Sequence, residues 1–275
     1  MSLTVRTNLS AMRAYHSLND TQKGLGNTLN RISTGLRVVR AADDAAGLGV
    51  ATNLRAQSGS LEQAMRNAND GISIIQTAEG AANEVTNILN RMRELSIQSS
   101  SETLANSERV YVNDEFNQLN QEINRIAQVT EFNGIQLSNG ATTTISAQIG
   151  IDNNSNSRID ISLGDLRATV LGILTSTDLS TSTGARAAID AIDSAIASVS
   201  SYRSSLGAVQ NRLDSSLSNA TNYMESLDAA SSQIMDADFA KESTEMTKNQ
   251  IMQQAGVAAL AQAKNINQSV SQLLQ

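Results

Sequence analysis

No proline interrupts the 275 residues of this chain, where average usage near 5% would supply roughly a dozen. Nothing therefore closes a helix by ring geometry, and apolar seams can run for many turns. Tryptophan is absent and aromatics total 3%. Any core must be built from Ala, Leu, Ile, Val and Met, which suits slender helix–helix packing better than a wide interior.

The seams are legible directly. From Ala11 a four-three spacing runs through Tyr15, Leu18, Gln22, Leu25, Leu29, Ile32, Leu36 and Val39, the pattern of a helix that meets another helix. Gly24, Gly26 and Gly35 lie within it, each costing about 1 kcal/mol relative to Ala, so this segment is expected to need a partner. Asp43 and Asp44 offer a cap for a second helix, carried from Leu61 through Ile75, Val85 and Leu89 to Met92. Asn69-Asp70-Gly71 is a turn signal inside it, but the apolar register passes through unshifted and predicts one continuous helix.

Residues 100–106 read as a loop, and Val112, Phe116, Leu119, Ile123 and Ile126 as a third helix. Turn signals at Asn133-Gly134 and Asn139-Gly140 precede two alternating runs, Ile145 to Ile151 and Ile159 to Leu163, which predict a β-hairpin with its tip at 152–157. A Ser/Thr-rich loop at 175–184 leads to a fourth long helix with Ile192, Val199, Leu206, Leu213, Met224 and Leu227. A last periodic segment carries Leu260, Ala263, Ile266, Val270 and Leu273. The expected fold is mainly α: a long antiparallel helical bundle or coiled-coil rod with a small hairpin insertion, its two weak ends completing each other's seam.

Chemistry is restricted. With no cysteine and one histidine, His16, disulfides, thiolate nucleophiles, Cys/His zinc sites and most His-based catalysis are removed. Asp152, Asn154 and Asn156 imitate the start of a calcium loop, but Ser157 replaces its glycine and Leu163 its final glutamate; a polar hairpin tip is the expectation. Adjacent Asp43 and Asp44 read as helix caps rather than paired catalytic acids, and no phosphate loop or zinc helix occurs. Asn153-Asn154-Ser155 is a bare glycosylation sequon. No enzyme activity, metal or cofactor is expected. A net charge of −7 argues against nucleic acid and anionic membrane as partners. The N-terminal stretch lacks the apolar centre of a secretory signal, so the expectation is a cytoplasmic protein or one exported without signal cleavage. What remains is the terminal seams, and packing against other copies of the chain is their expected use.

Longer motifs sharpen this. RISTGLRVVRAADDAAGLGVA from Arg31, RNANDGISIIQTAEGA from Arg66, NILNRMRELSIQSS from Asn87 and EINRIAQVTEFNGIQL from Glu122 resemble bacterial flagellin, the subunit of the flagellar filament. YRSSLGAVQNRLDSSLSN from Tyr202, SSQIMDADFAKES from Ser231 and QIMQQAGVAALAQAKNINQSVSQLL from Gln250 are similar too, in the same order. Val39-Arg40, where Asn-Ser is common in the family, and Ser269-Val270-Ser271 near the end depart from its pattern.

The resemblance implies an inner coiled-coil polymerisation domain from 1–43 with 235–275, and a helical rod domain from 44–137 with 185–234. Residues 138–184 would face outward, with no large outer domain. It implies a helical homopolymer for swimming motility, outside the cell. Self-association would use Tyr15, Leu18, Leu25, Leu29, Ile32, Leu36, Val39, Leu260, Ala263, Ile266, Val270 and Leu273. Further implied partners are the flagellar export chaperone and secretion apparatus, hook-associated and cap proteins, and a vertebrate Toll-like receptor meeting Arg91, Leu95 and Glu115. A hook-filament junction protein is the nearest alternative; the RNANDGIS and MRELSIQSS stretches favour flagellin.

Overall fold

The computed structural model describes residues 7–173 and 177–273, with side chains through residue 265. Among them the chain is mainly α, as its seams require. Helix α1 spans Leu9–Thr34, α2 Ala45–Ser100 and α3 Asn106–Val129; α4 spans Ser182–Met235 and α5 Phe239–Leu273. Between α3 and α4 lie β1 (Glu131–Phe132), β2 (Ile135–Gln136), β3 (Thr144–Gln148) and β4 (Arg158–Ser162).

Helix α2 runs 56 residues without a break, so Asn69-Asp70-Gly71 is helical despite its turn chemistry. The reason is tertiary. A Cβ on Gly71 would sit 3.4 Å from Ile161 Cδ1 and from Leu213 Cδ1; the glycine lies where side chains of β4 and α4 pack against α2. Asn69 turns its amide back along the helix to the Met65 carbonyl.

Gly35 does not weaken the interior of α1. It ends the helix, in a left-handed conformation at φ 71°. Asp44 accepts from Gly47 N–H at 2.8 Å and caps α2 as expected, while Asp43 turns the other way and accepts from Val39 and Arg40 N–H. Helix α4 begins at Ser182, inside the segment read as loop; Thr175 lies outside the described residues.

The hairpin pairs β3 with β4 antiparallel, Ile145 opposite Ile161 and Ala147 opposite Ile159. A second, minimal hairpin, β1 with β2, turns through Asn133 and Gly134, both at positive φ, the two-residue loop such a sequence favours.

The chain divides into two compact units, Met1–Gln57 with Glu225–Gln275, and Ser58–Met224. These limits fall inside α2 and α4, whereas the sequence reading placed domain limits at the helix ends. Within 58–224, α2, α3 and α4 enclose Val85, Leu89, Met92, Leu95, Phe116, Ile123, Ile192 and Val199, all at most 2% exposed. A neighbouring cluster joins Ile75 and Ala78 of α2, Ile159 and Ile161 of β4, and Leu206 and Leu213 of α4.

One buried cation closes the end of this unit. Arg109 of α3 is 6% exposed, and its guanidinium donates to the carbonyls of Ser99 (2.9 Å) and Ser101 (2.6 Å) and to Asn106 Oδ1. It thus caps the electronegative end of α2. Ser99 Oγ donates to the Leu179 carbonyl and Ser182 Oγ to that of Ser100. Arg109→Ala is expected to lower urea stability by about 2–3 kcal/mol, the value of charge-assisted hydrogen bonds whose acceptors lose their partner; an unchanged midpoint would show that the clamp is idle.

Candidate self-association surface

In the unit formed by the two chain ends, α1 and α5 lie antiparallel. Asn8 Nδ2 donates to the Ala263 carbonyl at 2.9 Å, while Oδ1 of the same side chain caps α1 by accepting from Ala11 N–H. Further along, Leu18 faces Gly256, Gly24 faces Asn249, and Arg31 reaches Glu242 at 3.5 Å.

The protected positions are regular on both helices. On α1 they are Ala11, Ala14, Leu18, Thr21, Leu25, Thr28 and Ile32; on α5, Glu242, Met246, Asn249, Gln253, Gly256, Leu260 and Ala263. Both series keep the spacing of a coiled coil, but their content is unusual. Three of the fourteen side chains are charged or amide-bearing, Glu242, Asn249 and Gln253, all on α5, and two more positions are threonine on α1. Thr28 is 5% exposed and hands its hydroxyl proton to the Gly24 carbonyl. Polar members of a seam fix register and orientation at a cost in stability.

A second set of large apolar side chains lies off the seam. Leu9, Met12, Tyr15, Leu29, Phe239, Ile251, Met252 and Val257 are between 48% and 68% exposed. The seam therefore mixes Leu18, Leu25, Ile32, Met246 and Leu260 with small and polar residues, and the pair leaves a second set of large apolar side chains on its outside, more than a helix hairpin meant to stand alone would expose.

Where the helices meet their connectors, an ion-paired hub holds the geometry. Arg31 lies between Glu242 of α5 and Asp43, the latter at 3.9 Å. The Asp43 carboxyl is held below the usual carboxylate range, first by the N–H of Arg40, then by that of Val39 and the positive charges of Arg31 and Arg40. Leu36 and Asp236 form an antiparallel bridge, with Arg37 N–H donating to the Met235 carbonyl and Ala237 N–H to that of Gly35. Behind it Val38, Ala51 and Met235 make a small closed core.

Comparison with known proteins identifies this arrangement. The bacterial flagellin N-terminal helical region matches residues 5–143 and the bacterial flagellin C-terminal helical region matches residues 189–274. A flagellin of Halalkalibacterium halodurans is 44% identical over 276 residues, covering 99% of this chain and all of the relative. The chain belongs to the bacterial flagellin family. A flagellar filament 33 kDa core protein of Treponema phagedenis is 38% identical over 285 residues, again covering 99% of this chain and the whole relative. Among solved structures, Bacillus cereus flagellin superposes with a TM-score of 0.51 at 30% identity, covering 56% of this chain and 88% of that one. A flagellar hook-associated protein from Vibrio parahaemolyticus reaches a TM-score of 0.60 over 70% of this chain and all of that one, at 15% identity, a likeness of fold alone. The family is one of structural proteins, and the stretch its two regions leave unmatched, 144–188, holds the β3–β4 hairpin and the start of α4.

Of the residues that flagellin resemblance singled out for self-association, Tyr15, Leu29 and Val39 are exposed. Leu18, Leu25, Ile32, Leu36 and Leu260 are half-buried, and Ala263 is buried. The side chains of Ile266, Val270 and Leu273 lie outside the described residues. The sequence seam shares Ala11, Leu18, Leu25 and Ile32 with the observed one, but takes Tyr15, Gln22 and Leu29 where the structure uses Ala14, Thr21 and Thr28. Leu9, Met12, Phe239, Ile251, Met252 and Val257, which the sequence reading did not single out, are exposed apolar residues of the same pair that lie off the seam.

The three receptor positions do not form one surface. Arg91 pairs with Glu115 at 2.9 Å and with Glu94 at 3.1 Å on the exterior. Leu95, expected on the same face, is 2% exposed and belongs to the core beside Met92 and Phe116. A spacing of four puts Leu95 near Arg91, but the boundary between α2's wet and dry faces runs between them.

Proposed function

We propose that copies of this chain pack through the outward apolar face of the α1–α5 pair to build the helical flagellar filament used in swimming. The observation that carries this is the set of large apolar residues the pair leaves uncovered, Leu9, Tyr15, Phe239, Ile251 and Val257, each more than half exposed. In a helical lattice every copy can bury that face, and a non-closing head-to-tail contact extends without limit. The full-length match to a filament core protein supports the filament over the hook-filament junction, since likeness to a hook-associated protein extends to the fold alone.

The same reading includes export in an unfolded state through the flagellar secretion apparatus with its chaperone, contact with cap and hook-associated proteins, and an extracellular end point; membership of the family supports it. A Toll-like receptor partner would meet the Arg91–Glu115 surface. No helix among the described residues is long and apolar enough to cross a membrane.

The test is a pair of single substitutions, Ile251→Asp and Val257→Asp. Each is expected to raise the critical concentration for growth from filament seeds by about 10-fold or more, because an unpaired charge would be buried at the copy-to-copy contact. Helix content of the free subunit should be unchanged. Growth at the parent's critical concentration would remove this face from the contact.

A further inference from the structure

The chain has no cysteine, so its sulfur is confined to eight methionines, and these are not equivalent. Met92 is fully buried in the core of the 58–224 unit, and Met235 is 3% exposed in the cluster with Val38 and Ala51. Met65, Met224 and Met246 are half-buried. Among the described methionines Met12 and Met252 stand apart at 52% and 50% exposure, and both belong to the α1–α5 pair. Met12 lies one helical turn from Leu9 and from Tyr15, on an apolar exposed stripe; Met252 adjoins Ile251 on α5.

A thioether in such a place has two properties at once. It is an unbranched, polarizable filler suited to an irregular apolar contact, and it is open to two-electron oxidants that buried methionines escape. We infer that Met12 and Met252 form an oxidation-sensitive control on assembly: a peroxide-class oxidant converts the exposed thioethers of the free subunit to sulfoxides, and the oxidised subunit cannot pack into the lattice.

The chemistry balances with the oxidant alone. A lone pair on the methionine sulfur takes one oxygen of hydrogen peroxide, the O–O bond breaks, and the remaining oxygen leaves as water; sulfur loses two electrons and peroxide gains them. The product is a strong dipole on a face that must lose water to pack. Because each sulfoxide epimer is a substrate for a dedicated reductase, the change is reversible. Assembly supplies the opposite arm. Once the outward face is covered by other copies, the same two sulfurs are shielded, so the filament resists the oxidant that disables its precursor. This rests on the proposed use of the α1–α5 face.

The experiment treats purified full-length subunit and assembled filament with hydrogen peroxide and maps sulfoxides by peptide mass spectrometry. Met12 and Met252 should oxidise first in the subunit, with Met92 and Met235 untouched, and both should be protected in the filament. The oxidised subunit should show a critical concentration raised by about 10-fold, one unpaired polar group's worth, and methionine sulfoxide reductases A and B with dithiothreitol should restore growth. The double variant Met12→Leu, Met252→Leu, a volume-conserving change, should show the same critical concentration before and after peroxide, whatever its own starting value. Equal oxidation in filament and subunit, unimpaired growth of oxidised subunit, or a Leu variant as peroxide-sensitive as the parent would each overturn the inference. Untreated parent that fails to extend seeds would instead overturn the assembly reading on which it rests.

Discussion

Deleting residues 235–275 is expected to abolish filament growth while leaving a soluble, folded chain. The deletion removes all of α5, and with it the partner of every protected position on α1 from Ala11 to Ile32. Helix α1 then has Gly24 and Gly26 in its interior and little apolar burial to offset their cost of about 1 kcal/mol each. Most of a protein helix's stability comes from packing its amphipathic face, and that packing is what α1 loses. Arg31 loses Glu242, and the Val38–Ala51 cluster loses Met235. The 58–224 unit keeps both of its buried clusters, neither of which includes a residue beyond 213. Circular dichroism should therefore show a loss of helix larger than the deleted segment accounts for, as α1 unravels as well, together with a cooperative melt from the remaining unit. Electron microscopy of seeds incubated with the truncated chain should show no extension. Long filaments would mean that the ends are dispensable for assembly.

How much of this was legible beforehand depends on what each element is built from. The long helices could be read because their buried positions are aliphatic and proline never interrupts them; even Asn69-Asp70-Gly71 yielded to the unbroken register. The β3–β4 hairpin could be read because Ile145, Ala147, Ile159 and Ile161 alternate as a half-buried strand pair must. The terminal seam was read only in half. Its members at alternate turns are Ala14, Thr21 and Thr28, small or polar residues that a reading for large apolar side chains passes over, while the leucine and tyrosine that do stand out, Leu29 and Tyr15, are exposed. A pattern of apolar residues reports that a face will be buried, not by which partner. Arg109 was illegible for a different reason: its acceptors are backbone carbonyls at the end of α2, and backbone acceptors leave no trace in side-chain spacing.

Leu95→Asp is expected to cost the 58–224 unit about 4 kcal/mol or more, because a carboxylate would replace a core leucine without any charge partner. In a unit of this size each kcal/mol is worth roughly 2–4 °C, so the melting temperature should fall by roughly 10 °C or more. Leu95 packs within the cluster that contains Met92, Phe116 and Ile123, which removes the possibility that such a variant reports on a surface contact. Any loss of receptor signalling or polymerisation would follow from unfolding. Arg91 and Glu115 are the informative positions: both are exposed, they pair with each other across α2 and α3, and exposed ion pairs contribute little to stability. Arg91→Ala and Glu115→Ala should accordingly melt with the parent. If the Toll-like receptor meets this surface, their signalling as free subunits falls while their melting temperature does not, and that divergence is the measurement to make. A Leu95→Asp chain that melts within a few degrees of the parent would show that Leu95 is not held in the core. Alanine variants that signal like the parent would remove Arg91 and Glu115 from the receptor contact.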